Sequence, residues 1–139
     1  TPQLMLRAEN LYFTNNKAYF YRKREGSIMH KRDKRWHIRR LADAKQVLYR
    51  LKERADYLPV KERIAMERRI AQLTMDHIYN VIRLTHNETH IDHVLQRLSR
   101  HGLFPLPDKD YTSKYKWFRR MTNSSFGRKT LIMLLRAKG

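Results

Sequence analysis

Three histidines, His86, His90 and His93, fall at i, i+4 and i+7, with Glu88, Asp92 and His101 nearby in the chain. On one continuous helix they would share a face, which is an acceptable spacing for metal ligands. A zincin-type site, however, needs Glu directly after the first His. Here Asn87 follows His86, and Glu88 lies about 200° round a helix that turns ~100° per residue. Asn87 also suits a helix cap, which would leave His86 outside the helix. The cluster therefore reads as surface or polyanion-facing histidines, and no metal site is expected. There is no phosphate-binding glycine loop, no Ser/His/Asp arrangement in a recognisable setting and no cysteine for thiolate or disulfide chemistry. No enzyme activity and no cofactor are expected.

The chemistry that does accumulate is cationic and aromatic. Lys and Arg number 31 against 13 acidic residues, a formal charge of +18. Such a charge opposes compaction unless a polyanion neutralises it. Residues 1–35 carry nine basic and three acidic side chains, and residues 102–139 carry nine and two, while 85–101 are neutral. The candidate phosphate contacts are Lys17, Arg22, Lys23, Arg24, Lys31, Arg32, Lys34, Arg35, Arg39 and Arg40 in the first half, and Lys114, Lys116, Arg119, Arg120, Arg128 and Lys129 in the second. Tyr19, Tyr21, Trp36, Tyr115 and Trp117 lie among them and are candidates for stacking on unpaired bases.

These side chains need a scaffold, and periodicity supplies one. Ile38, Leu41, Lys45, Leu48, Leu51, Ala55 and Leu58 recur at steps of three and four, as do Val60, Ile64, Ala71, Ile78 and Ile82. Each set makes one apolar stripe on a helix, and the short joint at Tyr57-Leu58-Pro59 makes the two helices antiparallel neighbours. Thr85-His86-Asn87 ends or kinks the second helix. A third helix is expected over 88–101, capped by Thr85 or Asn87 and stopped by Gly102. Residues 112–121 read as a short capped helix, 122–127 as a polar turn, and 128–136 as a last helix or strand. Residues 9–22 read as a short β-hairpin about Thr14-Asn15-Asn16-Lys17.

The expected architecture is mainly α. It has a basic aromatic N-terminal arm (1–35), a helical core (36–101) built on a hairpin over 36–84, and a basic C-terminal extension (102–139) with short helices. Both arms would need a polyanion to become ordered. An outer basic face is expected from Arg39, Arg40, Arg50 and Arg54, joined by Arg68 and Arg69. Some of these would be i,i+4 partners of Asp43, Glu53, Glu62 and Glu67. No run of apolar residues is long enough to span a bilayer.

Size, charge, basic arms and a first residue other than Met together resemble a mitochondrial ribosomal protein. The start at Thr1 fits a removed presequence or a fragment. Val47-Leu48-Tyr49-Arg50-Leu51-Lys52-Glu53-Arg54, followed by Lys61-Glu62-Arg63-Ile64 and a second basic helix, is similar to the universal two-helix large-subunit protein near the tunnel exit. The likeness covers about 36–84, and the short inter-helix turn and the extensions depart from that family. It implies a structural subunit in the mitochondrial matrix that contacts ribosomal RNA and neighbouring ribosomal proteins. One alternative is a helix-turn-helix DNA-binding protein using 76–101, although the neutrality of that segment argues against a recognition helix there. The other is a metal-dependent enzyme using the histidine cluster.

Overall fold

The computed structural model describes residues 8, 10, 12, 14–16 and 34–137. The chain divides into two units, Thr1–Arg32 and Asp33–Gly139. In the first, Tyr12 is exposed and the Asn16 amide donates to Thr14 Oγ1 at 3.1 Å. The β-hairpin expected over 9–22 falls for the most part outside the described residues.

The second unit is all helical among the described residues. Its helices are α1 (Lys34–Ala55), α2 (Val60–Thr85), α3 (Glu88–Arg100), α4 (Ser113–Asn123) and α5 (Ser125–Ala137). α1 and α2 form the expected antiparallel hairpin. Pro59 takes the N-cap position with φ −55° and ψ 155°, one residue before the first turn, and its carbonyl accepts the Arg63 amide at 2.9 Å. α2 is the centre of the unit and contacts each of the other four helices. Two adjoining stripes on it are buried, Ile70, Thr74, His77 and Val81 beside Ala71, Met75, Ile78 and Ile82. A helix that serves several neighbours needs this wider apolar face.

The second and third helices are separated as the local chemistry requires. His86 takes the left-handed conformation at φ 47° and closes α2, its amide donating to the Ile82 carbonyl at 2.9 Å. Asn87 then caps α3, its Oδ1 accepting the His90 amide at 2.9 Å. Gly102 follows α3 at φ 65°, a conformation that favours glycine.

Four expectations are corrected. The core is not confined to 36–101, because Leu103, Leu106, Tyr111, Phe118, Leu131 and Ile132 belong to the same buried cluster as Leu48 and Ile82. Residues 122–127 are not a turn. Ser124 alone separates α4 from α5, and α5 begins at Ser125. Thr112 sits at the N-cap of α4 but makes no side-chain capping bond. The two helices cross closely at Gly127, where an added Cβ would collide with the Met121 carbonyl oxygen and lie 2.7 Å from its Cα. The apolar stripes also extend past their partners, since Ile38, Val60 and Ile64 are more than half exposed.

Asn123 fastens this corner to the preceding loop. Its Oδ1 accepts the Leu106 amide at 3.0 Å and its Nδ2 donates to the Leu106 carbonyl at 2.9 Å. One amide side chain thereby satisfies both backbone groups of a buried residue.

Candidate nucleic-acid interface

The predicted basic residues separate into two populations. On α1, Arg39, Arg50 and Arg54 are exposed and make no ion pair among the described residues. At ~100° per residue they lie about 180°, 160° and 120° round the helix from the buried Leu48. Arg39 and Arg54 are about 22 Å apart along the axis at ~1.5 Å per residue. The row is interrupted by Asp43, which is also exposed. Arg40 lies over the indole of Trp36, its guanidinium carbon 5.2 Å from the ring centroid, and the His37 ring meets the same indole edge-on at 4.9 Å. Trp36 is half-buried within this group.

On the C-terminal helices much of the positive charge is already paired. Arg119 Nη2 lies 2.9 Å from Asp108, and Lys116 Nζ lies 3.6 Å from Asp110. Lys129 Nζ meets Glu88 at 3.6 Å. Arg128 is the most committed. Its Nε faces Asp92 at 3.6 Å, while its two terminal nitrogens donate to the Thr122 carbonyl at 3.0 Å and to Ser125 Oγ at 3.2 Å. Lys114 and Arg120 stay exposed without an ion pair among the described residues. Trp117 is 50% exposed beside them, so its ring is accessible. Tyr115 is half-buried, and its hydroxyl donates to the Asp76 carboxylate at 3.0 Å. Burial and that bond both push its phenol pKa up.

Lys17, Arg22, Lys23, Arg24, Lys31, Arg32, Tyr19 and Tyr21 lie outside the described residues. Lys34 and Arg35 begin α1. Arg68 and Arg69 do not extend the α1 row. Their charges act on Tyr111 and Tyr115, which places them toward the C-terminal helices. Glu67 is not an i,i+4 partner within its helix. It pairs instead with Lys109 at 2.9 Å, and that hydrogen bond holds its carboxyl below the usual range.

The histidines do not gather as their spacing allowed. His86 is the left-handed residue between helices, so only His90 and His93 lie on α3, and both are exposed. Among the described residues no three His, Cys, Asp or Glu side chains are grouped to hold a metal ion. His101 stacks on Tyr49 of α1, with centroids 3.7 Å apart at 15°. His77, which the spacing placed beside the apolar stripe, is buried at 5% exposure with its Nδ1 lacking a partner. Burial, reinforced by the Lys45 charge on α1, pushes its pKa down to about 4. The segment 76–101 places the end of an unbroken 26-residue α2 next to α3 across His86 and Asn87. The outer acids of α3, Glu88 and Asp92, face α5.

Among the described residues no helix is long and apolar enough to cross a membrane. Compared with known proteins, the chain matches no family model, no curated sequence and no solved structure.

Proposed function

We propose that this chain is a structural RNA-binding protein that contributes no catalysis and uses the outer row of α1, together with the basic N-terminal segment, to neutralise phosphates. The observation that carries the reading is the state of Arg39, Arg50 and Arg54. They are exposed on the side of α1 opposite its buried face and have no acidic partner among the described residues, in a chain of formal charge +18. Unpaired arginines held in a row by a rigid helix suit phosphate contact, and the fork of each guanidinium matches a phosphate's oxygens. Trp36 and Trp117 offer aromatic surface beside cations, which suits unpaired bases.

The form of this function that the resemblance implies is a subunit of a mitochondrial ribosome, in the large subunit, contacting ribosomal RNA and neighbouring proteins. The test is sedimentation of mitochondrial extract with the tagged full chain, followed by crosslinking to RNA. Co-migration with one ribosomal subunit, with crosslinks at α1, is the expected result. A chain that stays at the top of the gradient refutes the ribosomal assignment, and crosslinks that spare α1 refute the assignment of the surface.

A further inference from the structure

Val60, Ile64, Glu67, Ala71 and Thr74 recur at steps of four and three along one side of α2. The inner members are covered, and Ala71 and Thr74 are buried. The outer members are not, with Val60 64% and Ile64 56% exposed and Tyr57, at the bend, 89% exposed. This bare strip runs along α2 toward a cleft of about 230 Å³, lined by Ala71, Leu103 and Pro105 with Lys52, Glu67 and Lys109. Val60 and Thr74 lie about 21 Å apart along the axis at ~1.5 Å per residue. The cleft is smaller than the ~300–1,000 Å³ usual for a whole cofactor or drug-sized ligand, and suits one or two side chains of a docked segment.

Charge selects the occupant. Residues 53–64 hold three acidic and three basic side chains, so this end of the hairpin is neutral within a chain of +18. It offers a polyanion nothing beyond what the rest of the surface offers, while its exposed apolar side chains favour protein. A second copy is disfavoured because two chains of +18 repel one another. At the cleft Lys109 is committed to Glu67 at 2.9 Å. Lys52 makes a 3.7 Å contact with the exposed Asp56, a pair that contributes little, and its charge also acts on Glu67, whose direct hydrogen bond is to Lys109. With no hydrogen bond of its own to Glu67, its ammonium can take an incoming carboxylate.

We infer that the Val60–Ile64 strip and the adjoining cleft dock a segment of another protein, one that presents apolar side chains to the strip and the cleft and a carboxylate to Lys52. This surface is distinct in composition from the α1 row. The inference does not depend on RNA binding, and the two readings fail separately.

The experiment places p-benzoylphenylalanine at Val60 of the full chain in the cells that make it. After irradiation, the crosslinked peptide is sequenced by mass spectrometry. A second chain carries the probe at Arg39 as a control for the α1 row. Expected at Val60 is a peptide from another protein with apolar residues and an Asp or Glu within a few positions. Its yield should fall by about fivefold or more with Lys52→Glu and with Ile64→Gln, and be retained with Lys52→Arg. Ile64 is exposed and Lys52 is half-buried, and unchanged melting of each variant establishes that the fold is intact. Crosslinks to RNA, to a second copy or to the chain's own Thr1–Arg32 segment overturn the inference. So do a partner peptide without acidic residues, unchanged yields in both variants, and no crosslink at all.

Discussion

Helix α1 holds eight basic and two acidic residues, whereas α4 and α5 together hold seven basic and no acidic ones. On that count the C-terminal pair is the better polyanion binder. Its surroundings reverse the order. Lys116, Arg119, Arg128 and Lys129 are met by Asp110, Asp108, Asp92 and Glu88. Arg136 donates to the His86 carbonyl at 3.3 Å. α1 keeps Arg39, Arg50 and Arg54 clear because its acids, Asp43 and Glu53, make no ion pair with them. The packing differs in the same sense. α1 lies on α2 by one face, while α4 and α5 contribute Phe118, Thr122, Leu131 and Ile132 to the interior and cross at a glycine. Formal charge is a property of composition. Charge available to a ligand depends on which acids the fold brings near, and here it brings them to the C-terminal half.

The largest effect expected from disturbing this contrast is Gly127→Ala. The new Cβ meets Met121 backbone, which cannot give way as a side-chain tip can. A loss of about 3 kcal/mol is expected, at the upper end of ordinary overpacking. Denaturant melts measure it. In the parent protein without RNA, amide exchange at Leu131 and Ile132 should be slow. Fast exchange there would restore the view of 102–139 as an arm that waits for RNA.

Acid should loosen the other side of α2. His77 is held neutral at a folded pKa of about 4, against 6.5 for the free side chain. The unfolded chain therefore takes up a proton that the folded one refuses. The contribution is fully present above pH ~6.5, is lost as pH falls from there to about 4, and changes no further below that. The loss is at most about 3 kcal/mol. His77→Leu should remove this part of the pH slope. Single-tryptophan variants, keeping Trp36 on α1 or Trp117 on α4, would report whether α1 detaches first.

The contrast itself is tested by RNA affinity. Arg39, Arg50 and Arg54 changed together to Gln should lower affinity by about two orders of magnitude near 0.15 M salt, roughly 2.7 kcal/mol, and reduce the log–log salt slope by about three. Arg119, Arg128 and Lys129 changed to Gln should alter the slope by less than about one and should lower the melting temperature instead. Equal slopes in the two triple variants would mean that the internal pairs open for RNA. Filter binding across a salt series decides it.

Smaller effects should follow from the polar fastenings. Asn123→Ala leaves two backbone groups of Leu106 without partners and should cost about 1–3 kcal/mol. Asn87→Ala removes the α3 cap and should cost about 1 kcal/mol, read as lost helix signal and faster exchange at His90.

Much of the scaffold was legible because it is written locally. The three-and-four spacing of Leu48, Ala55, Ile78 and Ile82, the Asn87 cap and the Gly102 stop each act within a few residues of themselves. Periodicity names a face but not the length of its partner, so Ile38, Val60 and Ile64 read as core and are not. Ser124-Ser125-Phe126-Gly127 read as a turn because its composition is that of one. The neighbour that makes sense of Gly127 is Met121, across a crossing that no local pattern encodes. The candidate interface was half legible for the same reason. Asp92 finds Arg128 across 36 positions and Glu67 finds Lys109 across 42, separations at which spacing carries no information.

That α2 touches all four other helices has a consequence during synthesis. The ribosome emits the chain from its N-terminus, so α1 and α2 can pair while α5 is still unmade. Ala137 is the 52nd residue added after Thr85, about 3–10 s of translation at ~5–20 residues per second. Until α4 and then α5 have been made, the side of α2 that later receives them, around Asp76 and Tyr79 for α4, faces solvent uncovered. A nascent chain arrested with Thr85 emerged and Ser113 still inside the ribosome should therefore recruit a holdase chaperone, and an arrest that frees Ala137 should release it.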